Sequence, residues 1–246
     1  MNKIKPFEKF LDTFENDEMR NYCKDMIELS DDYIWKIPSS TSLKYHNKTQ
    51  CQPGGQLYHI LMACEIMNYI LGLKYVKDKY DKPKQRDCFR IAICLHDMKK
   101  TGGGQFTVHE HPVLVQKWIE NTSVDHDIDE KLKKYIGRLC ASHSGEWTTS
   151  NKSDFVLPEV ENDEQFLIHL CDYLASRNNI DMIYPDNIKE SIESFQDLPD
   201  VESYQLTFGK HAGKTLKQIK EIDPSYILWM QTQELKWPVN KLLNNL

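Results

Sequence analysis

The sequence predicts a mainly α-helical protein. A helical bundle runs through about residue 183, and a small module of a β-hairpin plus a helix follows a polar linker. Three observations carry this. Helical apolar patterning dominates from residue 6 to about 180. Gly and Pro punctuate its most apolar stretches. After residue 203 the pattern changes to two short alternating runs around a glycine-flanked turn.

The elements follow in order. "LYHILMACEIMNYILGL" (57–73) is apolar nearly all round, which marks a buried helix, with Pro53, Gly54 and Gly55 at its start. "RDCFRIAICLHD" (86–97) is a second buried helix, ended by the Gly102–Gly104 loop. "HPVLVQKWIE" (111–120) has Pro112 in its first turn. "IDEKLKKYIGRLCASH" (128–143) is amphipathic, and "DEQFLIHLCDYLASR" (163–177) is again strongly apolar. The acidic stretch 184–203, with Pro185 and Pro199, reads as a linker between a helical domain (1–183) and a small module (204–246). In that module "YQLTFGKHAGKTLKQI" reads as the hairpin. "DPSYILWMQTQ" reads as a helix capped by Asp223 with Pro224 at its first position, and Tyr226 and Trp229 read as its core.

Composition narrows the function. The 246 residues are 40% hydrophobic, enough for one sizeable core and a small appendage. The formal charge of −6 favours a small substrate over a long polyphosphate backbone, which usually meets a basic face. The N-terminus has no apolar run of the signal-peptide kind. No stretch of 18 apolar residues exists, so neither a membrane span nor a membrane partner is expected. Seven cysteines without a CxxC pair read as reduced core thiols of a cytoplasmic protein.

The chemistry centres on polar residues in apolar helices. His96 and Asp97 end the greasy run "FRIAICL". Burying a carboxylate without a partner is expensive, and a metal ion removes that cost. His59 and Asp172 are similar anomalies in their own helices. Each alone is more simply a hydrogen-bonded core residue, but one shared cation accounts for all four. The pair His126-Asp127, in "VDHDIDE", sits in a polar context and reads as solvated surface.

The order His59, His96-Asp97, Asp172 resembles the HD-domain metal-dependent phosphohydrolase superfamily. "GGQLYHIL" resembles that family's Gly-Gly-Leu-x-x-His, "HDMKK" its His-Asp-x-Gly-Lys, "ASHSGEW" the Ser-His-His-Gly of dinuclear members, and "LCDYLASR" its final Asp helix. The resemblance covers about residues 42 to 178. It implies a helical HD-domain bundle and a metal set of His59, His96, Asp97, His111, His143 and Asp172. His109 competes with His111, which adjoins a helix start. Ser144 stands where many dinuclear members have a second His, so the number of ions, one or two, stays open. The ligand types suit Mn²⁺, Mg²⁺, Co²⁺ or Fe²⁺ rather than structural zinc.

The resemblance also implies roles. Asp97 and Lys100 are the catalytic candidates. Lys100 is a phosphate-binding candidate, and so is Lys99, in the family's Gly position, unless it merely snorkels into solvent. Arg177 is another, with a helix-terminal charge as its plainer reading. "LTFGKHAGKTLKQIKEIDPSYILWM" resembles the C-terminal module of exodeoxyribonuclease X-like proteins over residues 204 to 232. Its Lys210 and Lys214 either hold a phosphate or are solvated turn residues. "GKHAGKT" lacks P-loop spacing. The leading expectation is a hydrolase of (deoxy)nucleoside 5′-monophosphates, similar in size and layout to phage-encoded deoxynucleoside 5′-monophosphatases. The alternatives are a 3′–5′ exonuclease of single-stranded DNA or RNA, for which nucleic acid is a partner, and a non-catalytic nucleotide sensor.

Overall fold

A computed structural model describes residues 2–40, 44–104, 107–233, 235, 238–244 and 246. The chain divides into two compact units, Met1–Phe195 and Gln196–Leu246.

The first unit is helical: α1 (Glu8–Leu11), α2 (Asp17–Glu28), α3 (Gly55–Gly72), α4 (Lys74–Lys79), α5 (Pro83–Leu95), α6 (His111–Asn121), α7 (Glu130–Ala141), α8 (Asp163–Ala175) and α9 (Asp186–Glu193). α3 is its axis and packs against both α5 and α8, while α7 packs against α5 and α6. It is buried nearly all round in its first half and along one side after that: Leu57, Ile60, Ala63 and Met67 are fully buried, while Tyr69 is exposed. Each such large side chain contributes about 1.5–3 kcal/mol. α3 starts at Gly55 because a Cβ there would collide with the Gln50 carbonyl. Gln50 in turn is buried and donates to the Ala175 carbonyl at 2.8 Å, which ties the α3 entry to the end of α8.

Helix ends follow local chemistry. Asp129 accepts from Lys131 and Leu132 N–H groups, so α7 starts at Glu130 and leaves Ile128 outside the helix. Asn162 caps α8 in the same way. α5 stops at Leu95, so the His96-Asp97 pair lies at and just beyond the helix end rather than within it.

The stretch expected as a linker from residue 184 is in part structured. α9 lies inside it, and Tyr184, Ile192 and Phe195 belong to the first unit's core. Phe195 packs on Trp35 with ring centres 4.6 Å apart. Ile188, Ile192 and Phe195 place apolar groups at helical spacing, a signal masked by the acids between them.

His126 and Asp127 are both exposed, as expected, but Asp127 also anchors a buried lysine. Its carboxylate accepts from Lys133 at 2.8 Å, and Lys133 is 2% exposed. His126, beside Asp127, pairs with Asp25. All seven cysteines are free, and six are buried.

The second unit has its own core, including Leu206, Leu216, Ile219, Met230 and Leu242. It holds α10 (Leu216–Ile222), α11 (Pro224–Gln231) and α12 (Val239–Leu243). The expected β-hairpin is absent. The described residues contain no strand, and the turn is closed by a single bridge, Gln205–Thr215. Thr215 and Gln218 form a reciprocal capping box that turns the second run into α10 at once. Leu216 and Ile219, three apart, then face the core. Asp223 caps α11 as expected, but Trp229 is 49% exposed rather than core.

Candidate metal centre

The ends of α3, α5, α6, α7 and α8 deliver polar groups to one place in the first unit. His59 comes from α3, His96 caps α5, and Asp97 follows in the next turn. His111 opens α6, His143 follows α7, and Asp172 lies in the last turn of α8.

Two overlapping groups result, each with its donor atoms within 4.8 Å of one another: His59, His96 and Asp97, and Asp97, His111 and His143. Asp97 serves both. Its Oδ2 lies 3.7 Å from His59 Nε2 and 3.6 Å from His96 Nε2. Its Oδ1 lies 3.0 Å from His111 Nε2 and 3.7 Å from His143 Nε2. Asp172 Oδ1 completes the first group, 2.9 Å from His59 Nε2 and 3.5 Å from His96 Nε2.

The ring orientations are fixed by the backbone. Nδ1 of His96, His111 and His143 faces the carbonyl of Ile93, Val108 and Cys140, at 2.6, 2.8 and 2.7 Å. A carbonyl only accepts, so each Nδ1 carries the proton and each neutral ring turns an Nε2 lone pair inward. The inward atoms meet: His59 and His96 Nε2 are 3.3 Å apart, His111 and His143 Nε2 3.2 Å. His59 has no such carbonyl and its Nε2 lies 2.9 Å from Asp172 Oδ1; so many nitrogens crowded beside two carboxylates favour a cation among them.

Electrostatics agree. Burial would raise the Asp97 carboxyl, but Lys100, His96 and His111 outweigh it and hold it well below the usual range. Asp172 is likewise held down, by His59 and His96 against burial. Burial lowers His96, yet Asp97 and Asp172 reverse the sign and raise it, so a proton and a cation compete for that lone pair. His143 is different: burial, aided by His96, pushes it down to about 3. Near neutral pH the His143 ring is therefore uncharged. Asp97 Oδ1 is buried and has no hydrogen bond, despite the nearby His111 ring. A divalent cation fits this donor set: imidazole and carboxylate, no thiolate, and a buried carboxylate oxygen without a partner.

A cavity of about 350 Å³ opens over the cluster. Lys100 lines it and bonds Asp97 Oδ2 at 2.6 Å. Arg177, Ser144, Tyr45 and Trp147 line it as well. Lys99 does not. It pairs with Asp31 at 2.7 Å and lies 4.8 Å from the Trp118 ring centre, which corrects the expectation that it contacts phosphate. His109 turns to the Thr148 carbonyl, leaving His111 in the cluster. Lys210 and Lys214 lie in the second unit, where Lys210 pairs with Asp223 at 2.6 Å.

Three residues escaped sequence reasoning. Gln56 donates to Asp97 Oδ2 at 2.9 Å. Its signal was a buried polar residue at the Leu position of the Gly-Gly-Leu-x-x-His pattern. His46 lines the cavity and bonds Gln50 at 2.7 Å; nothing around it in sequence sets it apart. His169 donates Nδ1–H to the His143 carbonyl at 2.8 Å and so braces the loop that carries His143. That loop turns at Gly145, φ +63°, where a Cβ would collide with the His169 ring.

A family model described as Exodeoxyribonuclease X-like C-terminal matches residues 206–234, within the second unit. Comparison with curated proteins and with solved structures gave no match. Among the described residues, no helix is long and apolar enough to cross a membrane.

Proposed function

We propose that the chain is a divalent-metal-dependent phosphohydrolase that removes phosphate from (deoxy)nucleoside 5′-monophosphates. The observation that supports it most is Asp97 set between two groups of inward-facing Nε2 atoms under an open cavity. The resemblance of residues 42–178 to HD-domain phosphohydrolases points the same way.

His59, His96, Asp97 and Asp172 would hold one ion; His111 and His143, sharing Asp97, would hold a second. Mn²⁺, Mg²⁺, Co²⁺ and Fe²⁺ suit these donors. Bound there, such an ion supplies Lewis acidity for attack of water on a phosphate ester. The chain's own groups do the rest. The backbone carbonyls keep the imidazoles in one tautomer. Gln56 and Lys100 hold Asp97 in one orientation. Lys100, in the cavity wall, would present its ammonium group to phosphoryl oxygens. The cavity is at the small end for ligand sites, which suits one nucleotide.

A second reading is a 3′–5′ exonuclease acting on single-stranded DNA or RNA. The match of residues 206–234 to the exodeoxyribonuclease X-like module favours it. One assay separates them. The full chain with Mn²⁺ or Mg²⁺ is given a mononucleotide panel and, separately, a labelled oligonucleotide. Release of inorganic phosphate from mononucleotides is expected. A ladder of shortened oligonucleotides without phosphate release would promote the exonuclease, and neither product would overturn both.

A further inference from the structure

The mouth of the cavity carries a surface that phosphate chemistry does not use. The Trp147 ring lies parallel to Tyr173, at 10° and 5.8 Å between centres. The Arg177 guanidinium sits 4.0 Å from the centre of the Tyr173 ring and 5.6 Å from that of Tyr45. Arg177 is pinned: Nε donates to the Tyr173 carbonyl at 3.1 Å and Nη2 to Ser176 Oγ at 3.0 Å. Among the described residues no carboxylate pairs with it. Trp147 is 51% exposed although it lines the cavity.

A single exposed aromatic side chain is ordinary. Here the exposed Trp147 ring, backed by Tyr173, and a fixed guanidinium lie in the wall of a cavity whose floor is the His/Asp cluster. The same elements carry both ends. The loop that holds His143 reaches Trp147 four residues later. Asp172 is followed directly by Tyr173, and Arg177 comes two residues after the same helix ends. A ligand with phosphate on the floor therefore meets the Trp147 ring and the stacked Arg177 cation in the wall above it. Purine and pyrimidine rings fit such a surface, because every base has a π-face and guanidinium planes stack on it too.

We propose that Trp147, Tyr173 and Arg177 form a stacking shelf that seats the nucleobase, so that the site selects base-bearing phosphate esters over plain sugar phosphates. The proposal rests on the phosphohydrolase reading for its substrate, though not for its binding test. Stacking grips the face of a base and not its hydrogen-bonding edge. Purine and pyrimidine nucleotides should therefore both be accepted, and ribose 5-phosphate should be a poor ligand.

The test uses the full-length protein with Mn²⁺, as wild type, Trp147→Ala, Trp147→Phe and Arg177→Gln. Kinetics compare adenosine 5′-monophosphate with ribose 5-phosphate, and a calorimetric titration measures the affinity of each. Wild type should prefer the nucleotide by roughly 10-fold or more, mainly through KM. Trp147→Ala should collapse that preference, Trp147→Phe should restore most of it, and Arg177→Gln, which leaves the ring pair in place, should reduce it. Equal KM values for the two esters in wild type, or an unchanged preference in Trp147→Ala, would overturn the shelf. If neither ester releases phosphate, the phosphohydrolase reading fails and the titration alone decides. Nucleotide affinity about 10-fold weaker in Trp147→Ala and recovered in Trp147→Phe then supports the shelf. Equal affinity in all variants refutes it.

Discussion

His143 combines a bond from Nδ1 to the Cys140 carbonyl with deep burial, and the ring stays uncharged with Nε2 facing His111 and Asp97. It is the residue on which a second ion depends. His143→Ala should lower turnover by more than the roughly 10- to 100-fold typical of losing an outer-shell partner. About one bound ion per chain should remain, held by His59, His96, Asp97 and Asp172. Metal analysis beside steady-state rates checks this; near-wild-type turnover would make His143 structural. The six proposed ligands were legible because most are polar anomalies in apolar runs, and one cation is a simpler account than four separate ones. Gln56 showed only as a polar residue at the pattern's Leu position, and His169 not at all. Their roles are set by which backbone or carboxylate lies opposite in space, and no local pattern encodes that. Lys99 failed for a similar reason: the motif places it beside Lys100, but consecutive residues of a turn point in different directions, and Asp31 captures it.

Elements are joined by ion pairs between buried cations and partly exposed carboxylates, whose contributions can be measured. Glu15 precedes α2 and accepts from Arg86 of α5 at 2.7 Å, while Asp87 accepts from the Glu15 and Asn16 N–H groups. The Arg86 hydrogen bond, with Arg90 and against burial, lowers Glu15 from 4.5 to about 2. In the unfolded chain this carboxyl takes its proton first as the pH falls. Its contribution is therefore present above about pH 4.5 and is lost between about 4.5 and 2. Urea unfolding across that window should show a shallower pH slope for Glu15→Gln than for wild type, with the variant about 1 kcal/mol less stable at pH 7 after solvent screening. Parallel slopes would contradict the assignment. The Asp127–Lys133 pair locks the start of α7. Asp127→Ala should cost about 2 kcal/mol, because Thr122 and Glu130 stay with the ammonium group. Unchanged stability on urea unfolding would show that Lys133 does not need the carboxylate. The helices were legible from period and caps. The second run of the expected hairpin was not, because alternation over a few residues cannot outvote a Thr-x-x-Gln capping box.

At the scale of the whole molecule, two units with separate cores carry two different resemblances. The proposed chemistry uses only residues of the first. Lys210→Ala with Lys214→Ala should therefore leave saturated mononucleotide turnover largely intact. If the chain instead tracks an oligonucleotide through the second unit, the double variant should weaken binding and flatten its salt dependence. Turnover of both substrate types against salt concentration distinguishes these outcomes. The central claim, that the His/Asp cluster is a divalent-metal site on which activity depends, is tested most directly by Mn²⁺ binding to chelator-stripped full-length protein, measured by calorimetry beside phosphate release. Wild type should bind two ions and gain thermal stability on binding. Asp97→Ala, which removes the carboxylate shared by both groups, should lose most of the bound metal and all measurable activity while remaining folded. Full metal content with undiminished activity in Asp97→Ala would contradict the account.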